Sequence, residues 1–240
     1  MARPVEAAAG SRPGAAPAAE LRRLRRAARA LYRGAPVADR LFVRGRLAIL
    51  PLRDLLAYFP SEGLVLDVGC GRGVLANVLA AACPRLRIHG VELDARAVAV
   101  ARATVRGRTN LTFEVADALA LPARETYDAV AFIDVLHHLP RETHRRVLEG
   151  VRPLLRSGGT LIVKEIDLRP RWKYLWNFVH DLVVTRGQPL ACRAAADLMG
   201  LVREAGYARV ALHAIRSPFP YPHYAVTAVP DGGARDGSDP

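Results

Sequence analysis

The 240 residues are 51% hydrophobic and 24% charged, with 35 Lys plus Arg against 23 Asp plus Glu and a net charge of +12. Such a chain is long enough to bury a full core as one larger domain, or as one domain with an appendage, and it is neither wholly disordered nor collagen-like. No run reaches the ~18–20 apolar residues of a membrane-spanning helix. The three scattered cysteines, Cys70, Cys83 and Cys192, form no disulfide framework or zinc pattern, which suits the reducing cytoplasm.

Lysine occurs only at 164 and 173, leaving 33 arginines. A basic surface written in arginine fits an arginine- and alanine-biased composition, and also fits nucleic acid, anionic membrane or an acidic substrate as partner. Composition alone does not choose among them.

Residues 1–19 are rich in Ala, Pro and Gly and read as a disordered tail, without the apolar core of a secretory signal. Residues 20–58 read as a basic helical extension, interrupted at Gly45 and Pro51, with ten arginines between Arg22 and Arg53. In its first half Leu21, Leu24, Ala28 and Leu31 share one helical face. The favoured reading is a helical lid whose apolar stripe packs on the main domain while its arginines face water. The alternative is a basic amphipathic helix on an anionic membrane surface, with nucleic acid the least favoured.

From residue 63 short apolar runs alternate with helical patterns. Strands are expected at 64–68, 87–92, 111–115, 127–133 and 160–166, rich in Val, Ile and Leu as for strands buried on both faces. Helices are expected at about 73–83, 95–106, 140–155 and 192–205. Two more runs, YARVALHAI and YAVTAV within 207–229, have no helix between them. Repeated strand–helix units predict an α/β fold with a parallel, doubly wound sheet, and the final pair predicts an antiparallel edge. Residues 231–240 read as a second loose tail.

The segment VLDVGCGRG, residues 65–73, carries the strongest signal. An apolar strand ends at Asp67, Gly69, Gly71 and Gly73 follow, and a helix begins. Glycines permit a tight turn and let a ligand approach the backbone, and the helix N-terminal amides face that ligand. Glu92 ends the second strand about 20 residues on, where a carboxylate can accept hydrogen bonds from ribose hydroxyls. Asp117 ends the third strand, placed for the exocyclic amine of a purine, and Asp134 ends the fourth.

These segments resemble the class I S-adenosylmethionine-dependent methyltransferases, over residues from about 60 to 229. The loop reads D-V-G-C-G-R-G, similar to that family's loop and unlike the G-x-G-x-x-G that wraps a pyrophosphate. DAVAFIDVLHHLP and LLRSGGTLIVKEID are similar to the family's fourth- and fifth-strand segments. The resemblance implies a Rossmann-like, seven-stranded sheet with an antiparallel last strand, spanning 59–230, and S-adenosyl-L-methionine as cofactor. It implies that Asp67, Gly69, Gly71 and Gly73 hold the methionine part, Glu92 the ribose, and Asp117 with the backbone of Ala118 the adenine. Asp134 would border the methyl and carboxyl end. Cys70 reads as packing in the loop, not as a nucleophile.

Methyl transfer requires an in-line approach of the acceptor, so much of the catalysis is positioning. An oxygen or acidic-carbon acceptor also benefits from a general base. His137 and His138, in DVLHHL, are the candidates; on a helix they would point about 100° apart, so one at most should face the pocket. No metal is expected, a set built from Asp134, His137 and His138 being the weaker reading. Residues 168–190 form an aromatic insert with Trp172, Tyr174, Trp176 and Phe178, read either as a face packed on the sheet or as the wall of an apolar acceptor pocket. His180, in the same segment, is a lesser base candidate. The insert resembles a subgroup of bacterial enzymes linked to lipid or polyketide-like pathways. An Asn-Pro-Pro motif after the fourth strand, common in nucleic-acid and protein amino-group methylases, is replaced by Ile133-Asp134-Val135-Leu136. The leading expectation is therefore methylation of a small apolar, lipid- or polyketide-like acceptor. RNA or protein methylation through the arginine-rich segment is the alternative, and a non-catalytic binding module is the third reading.

Overall fold

The computed structural model describes residues 17–122, 126–167, 191–215 and 223–231. The expected tails lie outside these residues except at Pro17–Ala19 and Asp231, as does the aromatic insert with Trp172, Tyr174, Trp176, Phe178 and His180. Three helices lead, α1 (Ala18–Leu31), α2 (Val37–Ile49) and the short α3 (Leu52–Leu55). The alternating part follows as β1 (Glu62–Val68), α4 (Val74–Ala82), β2 (Arg85–Glu92), α5 (Ala95–Arg102), β3 (Leu111–Val115), β4 (Tyr127–Ile133), α6 (His144–Val151) and β5 (Leu155–Ile166). Helix α7 (Ala195–Glu204) then leads to β6 (Tyr207–Ile215) and β7 (His223–Pro230).

The seven strands lie in the order β3-β2-β1-β4-β5-β7-β6. β3 to β5 pair in parallel, and β7 is antiparallel to both of its neighbours. Strand order reverses between β1 and β4, so the connections that leave their C-terminal ends run in opposite directions and leave a crevice there. The final pair forms the expected antiparallel edge, with β7 inside and β6 outermost. Burial fits this order. The first four residues of β7 are all buried, as suits a strand paired on both sides, whereas β6 is largely exposed along its middle.

Alternation along the central strands feeds two cores. On one face Ala129, Ala131 and Ile133 of β4 pack with Val65, Leu79 and Ile88; on the other Val130 and Phe132 pack with Leu148, Val163 and Val202. The N-terminal helices belong to the first core. Leu21, Leu24 and Ala28 of α1 are buried in it, beside α4, as are Val43 and Leu47 of α2. The apolar stripe of α1 is thus spent on the sheet domain, each fully buried leucine contributing roughly 2 kcal/mol.

Polar ties fix the same helices. The Tyr32 hydroxyl donates to the carbonyl of Arg72 at 2.8 Å and accepts from Asn77, whose amide also reaches Thr104. Arg25 donates to the carbonyl of Leu47 at 3.1 Å, joining α1 to α2. Gly45, expected as a break, sits inside α2, which ends just before Pro51. Among the described residues no helix is long and apolar enough to cross a membrane.

Candidate active site

A cavity of about 870 Å³ opens at the C-terminal ends of β1, β2 and β4 and is closed on one side by α2. It falls in the size range of small-molecule sites. Asp67, Gly69, Gly71, Glu92, Asp117, Ala118, Asp134, His137 and His138 all line it. Gly73 does not. It is the N-terminal cap of α4, with φ +73°, and a Cβ there would collide with the Phe113 ring, so its role is helix–strand packing.

The loop after β1 is a cradle. Gly71 has φ +52° and no atom near where a Cβ would stand, leaving open space over the backbone. Its amide donates to Glu92 Oε2 at 3.1 Å, and Glu92 Oε1 accepts from the amides of Leu93 and Asp94. The carboxylate at the end of β2 is therefore pinned facing the loop. Asp67 is almost fully buried, and its Oδ2 has no hydrogen-bond partner among the described residues. Burial, reinforced by the charge of Glu92 and opposed by Arg46, pushes its carboxyl up to about 7. A buried acceptor left without a donor costs stability, and it suits a cationic group brought by a ligand. Asp117 caps a 3₁₀ turn through Oδ1, which accepts from the amide of Leu119. Cys70 packs beside this loop, and burial raises its thiol well above the ordinary range, against a nucleophilic role.

The other half of the cavity is built around a strained residue. Asp134 has φ +59°, a left-handed conformation uncommon outside glycine and concentrated at functional sites. Its Oδ1 accepts from Lys164, a fully buried lysine on β5, and its Oδ2 accepts from Arg46 of α2 at 2.6 Å. Arg46 also donates to the carbonyl of Ile133 at 3.0 Å. Burial favours the neutral acid, yet Lys164 and Arg46 hold the Asp134 carboxyl far below the usual carboxylate range. Burial lowers Lys164 in turn, with Asp134 opposing.

Glu165, next along β5, anchors the turn after β4. Its Oε1 accepts from the amides of Val135 (3.2 Å) and Leu136 (2.9 Å), and its Oε2 bonds His137 Nδ1. Burial disfavours a charged His137 ring, but the Glu165 carboxylate outweighs it and raises the pKa of the histidine. With Nδ1 taken, Nε2 is the nitrogen left to act. Both histidines line the cavity, contrary to the expectation of one. They sit on a single 3₁₀ turn at its rim, with ring centroids 4.2 Å apart. Desolvation of the His138 ring, followed by the charge of His137, pushes it down to about 4.

One ligand atom each of Asp134, His137 and Glu165 lies within 4.8 Å of the others. Glu165 thus takes the place expected for His138 in a metal set. Each group is already engaged, however: Asp134 by two cations, Glu165 by two amides and His137. Arg46, Lys164 and Glu165 were not singled out from sequence. The signal for the last two was two charges in succession inside the apolar strand TLIVKEI.

Residues 65–159 match the family described as Methyltransferase domain. The ubiquinone biosynthesis O-methyltransferase of Paraburkholderia xenovorans is 34% identical over 106 residues, 43% of this chain and 44% of that protein. The Nitrosomonas europaea enzyme of the same name is 28% identical over 158 residues, 61% of this chain and 64% of that protein. The chain spans about half the length of the curated relatives it matches. Human N-acetylserotonin methyltransferase, solved with S-adenosylmethionine, superposes with a TM-score of 0.64 at 19% identity, over 79% of this chain and 53% of that one, a likeness of fold. The glycine cradle, the orphaned Asp67 oxygen and the pinned Glu92 fit S-adenosylmethionine, and residues 65–159 carry a methyltransferase domain similar to those of these relatives.

Proposed function

We propose that this protein methylates a hydroxyl group of a small, apolar, lipid- or polyketide-like acceptor. When bound, S-adenosylmethionine supplies an electrophilic methyl group. The glycine loop with Asp67 would hold its methionine part, Glu92 the ribose, and Asp117 with Ala118 the adenine. Asp134, neutralised by Lys164 and Arg46, borders the methyl end and keeps the floor between the two halves rigid.

The observation that carries the reading is the His137–Glu165 pair at the wall of a cavity lined also by the apolar Leu41, Phe42, Ile49, Val135 and Ile166. His137 is the catalytic base, taking the hydroxyl proton at Nε2; Glu165 is the positioning residue that fixes the ring and its tautomer. The absence of a side chain at Gly45 leaves room at the mouth, since a Cβ there would meet nothing within 4 Å. The names of the ubiquinone relatives support an oxygen acceptor.

Polymer methylation is the disfavoured alternative: an apolar cavity covered by α2 suits a small molecule better than a strand of RNA or a protein. We place the protein in the cytoplasm, in peripheral contact with anionic membrane through the arginines of α1 and α2. The test is transfer of labelled methyl groups to a panel of alkyl-substituted phenols and enols, alongside bulk RNA and protein. Incorporation into the small acceptors alone supports the reading, and incorporation into RNA or protein alone overturns it.

A further inference from the structure

A second cavity, of about 350 Å³, lies in the corner between α1 and α2, outside the active site. Four of its lining residues are arginines: Arg29 and Arg33 from α1 and the turn after it, and Arg40 and Arg44 from one face of α2. No acid lines it. Asp39, the acid of α2, is paired with Arg72 instead. None of the four guanidinium groups has an ion pair or hydrogen bond among the described residues. Four like charges gathered around one hollow repel one another, and a bound anion relieves that repulsion.

The rim is apolar. Val37 and Leu41 line the same hollow and are each 61% exposed. Leu41 also lines the active-site cavity, so whatever seats on the corner lies at the mouth of the site. The aromatic rings nearby are occupied. The Tyr32 hydroxyl is held by Arg72 and Asn77, and Arg72 stacks over Phe42 at 4.1 Å. Among the described residues at this corner no free ring is offered for base stacking, which single-stranded nucleic acid uses.

We propose that the α1–α2 corner is a phosphate-binding site that takes the headgroup phosphate of an anionic phospholipid, with Val37 and Leu41 entering the lipid surface. Arg29, Arg33, Arg40 and Arg44 hold the phosphate oxygens, and the cavity mouth then faces the bilayer from which an apolar acceptor would come. The site deepens the peripheral-membrane reading above and stands apart from the identity of the acceptor.

Full-length protein is co-sedimented with phosphatidylcholine vesicles, with and without phosphatidylglycerol. Binding is expected only with phosphatidylglycerol and is expected to weaken with salt. The triple variant R33A/R40A/R44A is expected to lose about a hundredfold in vesicle affinity, at about fivefold for each arginine near an anionic surface. A charge-matched variant at exposed arginines elsewhere, R87A/R96A/R203A, is expected to lose far less. Unchanged binding of S-adenosylhomocysteine by the first variant shows that it is folded, whether or not an acceptor is known. Equal losses in the two variants overturn the site, as does binding to phosphatidylcholine alone or retention of binding by R33A/R40A/R44A. Full displacement from vesicles by millimolar inorganic phosphate would instead assign the site to a free phosphate. Tighter binding to single-stranded RNA than to the vesicles, lost in the same variant, would assign it to a polymer and likewise overturn the lipid proposal.

Discussion

The two halves of the active-site cavity are made by different means. The cofactor half uses backbone and acids supplied within one stretch of chain, from Asp67 to Asp117, each at or beside the end of a parallel strand. The acceptor half gathers Arg46 from α2, Asp134 after β4, Lys164 and Glu165 from β5, and His223 from the start of β7. The first half leaves an acceptor atom open, at Asp67. The second closes its charges on one another, Lys164 and Arg46 on Asp134, Glu165 on His137. Under the proposed function, the half with an unpartnered acceptor takes the charged cofactor, and the half whose charges are satisfied internally takes an apolar acceptor and one proton.

The sharpest way to break this contrast is at His137. His137→Ala is expected to lower kcat by ~10²–10⁴ on any acceptor that the methyl-transfer panel yields, with S-adenosylhomocysteine affinity unchanged by calorimetry. A parallel loss of cofactor affinity would show that the halves are not separate. Next comes the buried pair. Lys164→Met removes one of the two cations bonded to Asp134 and leaves Arg46, and removing one partner of a buried pair costs about 3–5 kcal/mol. Urea unfolding at pH 7 should report it. The Asp134 carboxylate is held low, so its contribution is present above the ordinary aspartate pKa and is lost as the pH falls through its depressed folded value. The difference between wild type and variant should accordingly shrink in strong acid; a pH-independent difference would mean that packing, not charge, is lost.

The cofactor half answers differently. Asp67→Ala or Glu92→Ala should weaken S-adenosylhomocysteine ten- to a hundredfold, since hydrogen bonds to charged groups contribute about 1.5–3 kcal/mol. Unchanged binding in both would reject the assignment of these residues. Asp67 adds a signature of its own. Its folded pKa of about 7 lies above the ordinary 3.8, so the folded protein binds the extra proton and ligand-free stability falls as the pH rises between those values. Asp67→Asn should remove that slope and stabilise the ligand-free protein at pH 8 while weakening the cofactor.

The same contrast governs what could be read from sequence. The glycines, Asp67, Glu92 and Asp117 are legible because a parallel sheet fixes where a strand end must point, and a strand end is visible as an apolar run stopping at an acid. The strands themselves were legible for the same reason, with β3, β4 and β6 matching the expected runs and β1, β2, β5 and β7 longer by a few residues. Arg46 was not legible. Its partner is 88 positions away, and among ten arginines in the extension nothing local marks the one that turns inward. The antiparallel edge was legible from the missing helix between its two runs; that β7 and not β6 lies inside is decided by burial, not by chain order. His223 carried no motif, and enters the site only through that placement.

The smallest expected effect tests the finest point, that Glu165 acts through His137. Glu165→Gln keeps the size of the side chain and an oxygen that can accept from the amides of Val135 and Leu136. It removes the charge that lifts His137. Because the base must be neutral to accept a proton, kcat rises with pH through the pKa of His137, at a midpoint above 6.5 in the wild type. Without the carboxylate, burial dominates, the pKa falls and the rising limb should move to lower pH. The weaker base and the freed ring should lower the plateau by about tenfold, the cost of ~1.4 kcal/mol. A purely structural Glu165 predicts another pattern: a lower plateau with the limb unmoved. The same limb should vanish in His137→Ala, and its replacement there by a limb well into acid would assign the proton to His138, whose pKa is low, near 4.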